Sequence, residues 1–258
     1  VVTVADKASG RGLKINESAV KKYAVEHKIP VLQPVSLKDP DFLKALKAAG
    51  KTVIFVNCSG SAIALLPETE SCDAILQVWY AGQEGGQAIA DVLFGDYNPA
   101  GKLPVTFYKS SDQLPDFEDY SMKGRTYRYF NDPLFAFGYG LSYTQFELGD
   151  GKVSKSGENY TVSVPVSNVG QRDGAEVVQV YIRDLSDKEG PLKSLRAFQR
   201  VEVKAGQTVT AELTLTPKSF EFFDPETNTV HQKEGDFEVL YGNSSQDKDL
   251  KKLLLTVK

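Results

Sequence analysis

The sequence has 258 residues, 41% hydrophobic and 25% charged, which are ordinary values for globular proteins, and its length suggests about two domains. The net charge of −4 gives no electrostatic reason to expect nucleic-acid binding, and no apolar run approaches the ~20 residues of a membrane-spanning helix. Two histidines and two scattered cysteines are a poor set of metal ligands, so we expect no metal and no cofactor.

Short apolar segments alternate with helical segments in the first half of the sequence. Strands are predicted for four apolar segments, namely residues 1–5, 29–34, 52–57 and 74–80. Helices are predicted for residues 16–28, with Asn16 as the N-cap, and for residues 42–50, with Gly50 at the end. Apolar strands that alternate with helices indicate an α/β layered domain with a mostly parallel sheet. Because Val1 falls within a predicted strand, we expect the chain to be a fragment or a processed product.

The segment AGQEGGQAIADVLFGD, residues 81–96, has the outline of a phosphate-binding loop before a helix. Its glycine spacing matches neither the dinucleotide fingerprint nor the P-loop. Glu84 also lies at the predicted helix start, where its own charge would compete with a bound anion. The favoured interpretation is therefore a strand-to-helix turn that precedes a helix ended by Gly95. The predicted buried face of that helix consists of Ala88, Ile89, Val92 and Leu93.

After about Asp150 the hydrophobic period becomes two. Val162, Val164 and Val166 alternate with polar residues, and segments 175–184 and 207–216 repeat the pattern. About seven such strands separated by turn signals indicate an all-β sandwich of immunoglobulin or fibronectin type III-like form. Residues 108–145 are rich in aromatic residues and are predicted to form an ordered connector. Four of its tyrosines are predicted to hold the domains together: Tyr127, Tyr129, Tyr139 and Tyr143.

Candidate chemistry in the sequence is sparse. Ser59 and Ser61 follow a strand but lack the G-x-S-x-G spacing of a nucleophile elbow. The acidic residues of segment 111–120 are most simply a solvated surface. Among the carboxylates, Glu84 is the catalytic candidate, because loops at the carboxyl ends of strands form α/β sites.

A basic loop occupies residues 6–15, where three side chains could meet phosphates. The charge of this loop is small and local, so an exposed loop without nucleic acid is favoured. The three residues are Lys7, Arg11 and Lys14.

Residues 45–150 closely resemble the C-terminal part of glycoside hydrolase family 3, the β-glucosidases and β-xylosidases. The segments that carry the resemblance are LKALKAAGKTVIFVNCSGSAIAL, AILQVWYAGQEGGQAIADVLFGDYNPAGKLPVTFYKSSDQLPDFEDY and GRTYRYFNDPLFAFGYGLSYTQFEL. The rest resembles the fibronectin type III-like domain that ends many of these enzymes, through SVPVSNVGQRDGAEVVQVYIRD, PLKSLRAFQRVEVKAGQ and FEFFDPETN.

The resemblance implies a retaining mechanism in which one carboxylate attacks the sugar and another transfers protons. It places the nucleophilic aspartate on an N-terminal barrel and the acid/base glutamate upstream of FLKALKAAGK. Neither carboxylate has a matching position in this sequence. The parent glycosidase is expected in the periplasm or outside the cell.

Residues 1–43 resemble an N-terminal segment of methionyl-tRNA formyltransferase, through GRG and IPVLQPVSL. In that family the basic loop contacts the tRNA acceptor stem, which would assign this role to Lys7, Arg11 and Lys14. The formyl-transfer residues have no matching positions, so we expect no formyltransferase activity. The sequence is therefore predicted to be a chimera with a seam near DPDFLKALKAAGK. Its predicted division is an α/β domain over 1–145, composed of 1–43, 44–107 and the connector 108–145, followed by a sandwich over 146–258.

Three hypotheses for function remain open. The first is a C-terminal portion of a family 3 glycosidase that is not catalytically competent alone. The second is residual or complemented β-glycosidase activity, for which Glu84 is the first residue to test. The third is a module that binds a carbohydrate or a protein. The expected partners are a β-linked oligosaccharide or a barrel domain.

Overall fold

The computed structural model describes residues 1–3, 5–9, 14–34, 36, 39–48, 50–224 and 226–258, although not the side chains of Ser9, Lys14, Pro40, Leu43 and Ala45. The chain forms two compact units. The first contains Val1–Gly60 and Leu65–Tyr80, and the second contains Ser61–Ala64 and Ala81–Lys258.

The first unit contains the parallel part of the fold. Strands β3 (Ile54–Asn57) and β4 (Ala74–Gln77) pair in parallel, with Ile54 opposite Ala74 and Asn57 opposite Gln77. Helix α3 (Leu66–Ser71) connects them, and this β–α–β unit confirms the prediction drawn from their apolar sequences. The elements of this unit are β1 (Lys7–Ser9), β2 (Lys14–Asn16), α1 (Ala19–Glu26), α2 (Pro40–Ala48), β3 (Ile54–Asn57), α3 (Leu66–Ser71) and β4 (Ala74–Gln77).

The first 34 residues differ from the sequence-based prediction in detail. The strands predicted at 1–5 and 29–34 are reduced to a parallel bridge between Val2 and Leu32. Asn16 is not the N-cap of α1, because it ends β2, which pairs with β1. Ser18 caps the helix instead, and its hydroxyl accepts a hydrogen bond from the Lys21 backbone N–H at 3.1 Å.

The second unit contains a helical part and the sandwich. The elements are α4 (Gly85–Phe94), α5 (Thr126–Tyr129), β5 (Phe146–Leu148), β6 (Lys152–Ser156), β7 (Asn159–Asn168), β8 (Gly174–Asp184), β9 (Ser194–Val203), β10 (Thr208–Leu215), β11 (Glu221–Asp224), β12 (Thr229–Gln232), β13 (Gly235–Gly242) and β14 (Leu250–Val257). One sheet has the order β10–β7–β5, with β6 also paired to β7, and the other has the order β14–β13–β8–β9. All neighbouring strands in these two sheets are antiparallel.

The core of the second unit lies between the two sheets, as the period of two predicts. Val162, Val164 and Val166 on β7 are fully buried and pack in one cluster with β8 and β13. Burial of each such side chain stabilises the fold by roughly 1.5–3 kcal/mol. The predicted fold class, an α/β domain followed by an all-β sandwich, is confirmed.

Tyr181 on β8 is a buried polar residue with an unusual titration. Burial, together with the nearby Tyr127, raises the pKa of Tyr181 far above its ordinary value. Its hydroxyl donates a hydrogen bond to Gln179 Oε1, and its ring meets Tyr127 edge-on with 5.7 Å between centroids. The native state therefore keeps this hydroxyl protonated at a pH where an unfolded chain would ionise it.

We expect this difference to destabilise the protein in alkali. The unfolded tyrosine titrates near pH ~10. Above that pH the native state holds one more proton than the unfolded state, so the free energy of unfolding falls by about 1.4 kcal/mol per pH unit for this group. Urea titrations at pH 8 to 11 should show a steeper loss in the wild type than in Tyr181→Phe. Equal slopes in the two proteins would contradict the assignment.

Candidate functional site

Polar side chains gather at the carboxyl ends of β3 and β4. Asn57, which is buried, donates hydrogen bonds from its amide to Ser59 Oγ at 2.9 Å and to Gln77 Oε1 at 2.5 Å. In open α/β sheets, ligands bind beyond these strand ends. Amides and a hydroxyl can bind the hydroxyl groups of a ligand, but none of the three side chains can act as an acid or base near neutral pH. A polar residue at the last position of each parallel strand is the sequence signal that marks this cluster.

The loops that follow β3 and β4 contact each other. A Cβ added to Gly60 would lie 2.5 Å from Tyr80 Cε2, so a side chain at this position would have to displace the exposed Tyr80 ring. Trp79 has a left-handed backbone, with φ of 56°, which is uncommon for a bulky residue. The strand predicted over residues 74–80 is shorter in the structure, because β4 ends at Gln77 and Trp79 is half-buried in the loop that follows.

Glu84 lies in the second unit, where it precedes α4 as the N-cap residue. Its side chain is exposed and makes no capping hydrogen bond. The backbone makes the turn, because Gly85 N–H donates to Gly82 O at 3.0 Å. Gly95 ends the helix in the left-handed conformation, with φ of 85°, as the sequence predicted. Glu84 therefore lies in a turn. Among the described residues, its carboxylate has no partner for acid–base chemistry.

The predicted buried face of α4 is only partly buried. Ile89 and Val92 are half-buried, whereas Ala88 and Leu93 are exposed and Phe94 is 84% exposed. The apolar face of this helix is wider than the part of it that the rest of its unit covers. A prediction from the apolar pattern therefore gives more buried residues than the structure shows.

The connector tyrosines fix the connector to the rest of the second unit. Tyr127 OH accepts a hydrogen bond from Leu195 N–H at 3.1 Å, and Tyr143 OH donates to Val92 O at 2.7 Å. The first bond reaches the sandwich and the second reaches α4. These two tyrosines therefore tie the connector to its neighbours through their hydroxyls as well as their rings.

In the acidic part of the connector, aspartate side chains accept hydrogen bonds that close turns within the same segment. Asp116 and Asp119 accept hydrogen bonds from the backbone N–H groups of Glu118 and Ser121, at 2.9 and 2.8 Å. The bonds from Ser121 hold the pKa of Asp119 below its usual value. The carboxylates of this segment are exposed, as expected for a solvated surface.

The basic loop is described only in part. Lys7 lies in β1 and is exposed, whereas Arg11 and the side chain of Lys14 lie outside the described residues. Nearby, Asp6 accepts hydrogen bonds from Lys21 and Gln33, which lower the pKa of Asp6.

Within the described parts of the chain, no three His, Cys, Asp or Glu residues are grouped so that they could hold a metal ion. Within the same parts, no helix is both long and apolar enough to cross a membrane.

Comparisons with known proteins agree with this architecture. Residues 34–143 match the glycosyl hydrolase family 3 C-terminal domain, and residues 176–245 match the fibronectin type III-like domain. The chain thus combines an α/β domain and a β-sandwich domain of carbohydrate-active enzymes. It is the C-terminal portion of a family 3 glycoside hydrolase.

Individual relatives have the same arrangement. A xylan 1,4-beta-xylosidase of Xylanibacter ruminicola is 68% identical over 219 residues, which are 84% of this chain and 25% of that protein. A periplasmic beta-glucosidase of Salmonella typhimurium is 40% identical over 223 residues, which are 80% of this chain and 29% of that protein. The crystal structure of a beta-glucosidase from Kluyveromyces marxianus superimposes with a TM-score of 0.76 and 33% identity, covering 86% of this chain and 28% of that one. The chain therefore spans between a quarter and a third of the length of these relatives.

Proposed function

We propose that this chain is the C-terminal part of a retaining enzyme with β-xylosidase or β-glucosidase activity. We also propose that the chain does not hydrolyse glycosides when it is alone. The observation that carries the proposal is the 68% identity to a xylan 1,4-beta-xylosidase over 84% of this chain and only 25% of that relative. The xylosidase is favoured over the glucosidase because the identity to the glucosidase is 40%. The proposed substrate is a β-linked oligosaccharide, and the proposed partner is an N-terminal barrel domain.

The side chains at the strand ends of the first unit support a chain that depends on another domain for catalysis. Retaining hydrolysis needs two carboxyl groups about 5 Å apart on either side of one sugar. The cluster of Asn57, Ser59 and Gln77 offers neutral hydrogen-bonding groups that suit sugar hydroxyls. We propose that the chain contains no catalytic carboxylate of its own and that Glu84 begins a helix.

A domain exchange tests the proposal. The C-terminal part of the Xylanibacter relative is replaced by residues 34–258 of this chain, and hydrolysis of an aryl β-xyloside is measured. We expect turnover within about tenfold of the parent enzyme, since the matched domains are alike. Glu84→Gln in the exchanged protein should keep kcat within about twofold, because loss of a general acid or base would cost roughly 10²–10⁴-fold.

Glu118→Gln is the matched control, because Glu118 is an exposed carboxylate in the connector. A hundredfold fall in kcat for Glu84→Gln, with Glu118→Gln unchanged, would make Glu84 catalytic. A folded exchange protein without any turnover would remove the proposed function itself.

We propose that the N-terminal residues originate from a methionyl-tRNA formyltransferase-like domain. We also propose that they neither transfer a formyl group nor bind nucleic acid. Support comes from the order of the described elements, in which α1 lies between the paired Val2 and Leu32. The family 3 match begins at residue 34, so residues 1–33 lie outside it. We also propose that the sandwich domain begins after residue 145, although the connector packs with it in the second compact unit, because β5, the first strand of the sandwich, begins at Phe146.

A further inference from the structure

A cleft of about 240 Å³ lies between the connector and one end of the sandwich, within the second unit. Because an engineered cavity of ~150 Å³ holds a benzene molecule, this volume is large enough for one six-membered ring. The residues that define its chemistry are Thr106, Tyr127, Asn131, Phe137, Lys193 and Asp247.

The aromatic wall of the cleft is rigid. The rings of Tyr127 and Phe137 stack with 4.3 Å between centroids. Tyr127 OH is held by Leu195 N–H, and the Phe137 carbonyl accepts from Ser245 N–H at 2.9 Å. The wall is therefore formed before any ligand binds, which lowers the entropic cost of binding.

The cleft also contains a buried hydroxyl without a partner. Thr106 is 7% exposed, and its Oγ1 has no hydrogen-bond partner among the described residues. Buried polar atoms nearly always have one, and an unpaired one needs an explanation such as a bound molecule. Because Oγ1 itself is buried, a rotation of the Thr106 side chain towards the cleft would be needed before a ligand hydroxyl could supply the missing partner.

The charge in the cleft favours a neutral ligand over an anion. Lys193, which is 4% exposed, donates from Nζ to Ser245 O at 2.7 Å and forms an ion pair with Asp247. Because this carboxylate neutralises the ammonium group, the remaining positive charge in the lining is that of Lys248, which is exposed and screened by solvent, so an anion would gain little attraction there. The ammonium and the carboxylate together can still donate to and accept from neutral hydroxyl groups.

We propose that this cleft binds one neutral pyranose ring, such as the terminal xylose of a β-linked oligosaccharide. The choice of sugar rests on the proposed function, whereas the cleft itself rests on its own geometry. Aromatic rings contact the apolar face of the sugar, and Thr106 and Asn131 bond its hydroxyl groups. The site requires no catalytic carboxylate and lies outside the strand-end cluster of the first unit.

Titration of the complete chain with xylose, followed by NMR shifts of its amides, tests this proposal. We expect saturable shifts centred on Thr106, Asn131 and Lys193, with a dissociation constant on the order of 1 mM. Thr106→Val should weaken xylose binding at least tenfold and raise the melting temperature, since it removes an unpaired buried hydroxyl. If this variant does not fold, the positions of the shifted amides in the wild type still decide the question.

Ser194→Ala is the matched control. Ser194 is also buried with an unpaired hydroxyl among the described residues, but it does not line the cleft. We expect this variant to bind xylose as the wild type does. The proposal is overturned if xylose at about a hundred times the expected constant gives no saturable shift, if inorganic phosphate saturates the cleft instead, or if Ser194→Ala weakens binding as Thr106→Val does. None of these outcomes bears on turnover by the domain-exchanged enzyme.

Discussion

Replacing Lys102 by methionine is expected to destabilise the second unit by about 3–5 kcal/mol. Lys102 Nζ lies 2.7 Å from Glu176 Oε1, and the two side chains are 12% and 5% exposed. Lys102 also donates to Gly140 O at 2.9 Å, so it joins the connector to β8. Removal of the ammonium group leaves the buried Glu176 carboxylate without its opposite charge, which is why a large effect is expected.

Urea denaturation followed by circular dichroism measures this loss, and two further variants interpret it. Lys109→Met is the matched control, since Lys109 forms a more exposed ion pair with Asp132 and should contribute only about 0–1 kcal/mol. Lys102→Met combined with Glu176→Gln should recover part of the stability, because no unpaired charge remains. A loss below about 1 kcal/mol in Lys102→Met would show that the pair is not buried in solution.

The second large effect is expected for Gln179→Leu, at roughly 3 kcal/mol or more. Gln179 is 3% exposed, and its amide donates to Gly138 O at 3.0 Å and Asn243 O at 2.9 Å. Its Oε1 accepts from Tyr181 OH. Leucine would leave two buried groups, Gly138 O and Tyr181 OH, and the partly buried Asn243 O without this partner, and each buried group costs about 1–3 kcal/mol.

Two variants test whether the position of Gln179, rather than its size, produces this effect. Gln199→Leu is the control, since Gln199 is half-buried and accepts one hydrogen bond, from Glu212 N–H. Gly138→Ala disrupts the same contact from the side of the connector. The backbone φ of Gly138 is 79°, and an added Cβ would lie 2.0 Å from Gln179 Oε1. Similar small losses in Gln179→Leu and Gln199→Leu would contradict the network.

These two contacts explain why the connector and the sandwich form one compact unit. Lys102 and Gly138 come from segments before the sandwich, and both attach to β8 through buried polar side chains. Polar groups of this kind require specific partners, so they fix one arrangement of the connector. We expect the two segments to unfold together in urea.

The sequence predicted the sandwich well because its signal is local. Alternation in β7 places Val162, Val164 and Val166 on one face, and all three are fully buried. The parallel pairing of β3 with β4 was likewise predictable, since continuous apolar strands separated by a helix have few other solutions. Gly95 ended its helix where the left-handed conformation favours glycine.

The candidate site was less predictable because its contacts join distant residues. Asn57 and Gln77 are twenty positions apart, and only the pairing of their strands brings them together. The cleft combines Thr106 with Lys193, which no local pattern connects. The N-cap of α1 was misplaced at Asn16 because a short strand pairing overrode a local preference.

Hydrolysis of an aryl β-xyloside by the purified 258-residue chain alone, compared with the domain-exchanged Xylanibacter enzyme, decides whether the chain needs a separate catalytic domain. We expect no turnover by the chain above the uncatalysed rate, and turnover when residues 34–258 are joined to the relative's N-terminal part. Turnover by the chain alone that disappears when one of its own carboxylates is replaced would show that the chain is catalytic by itself.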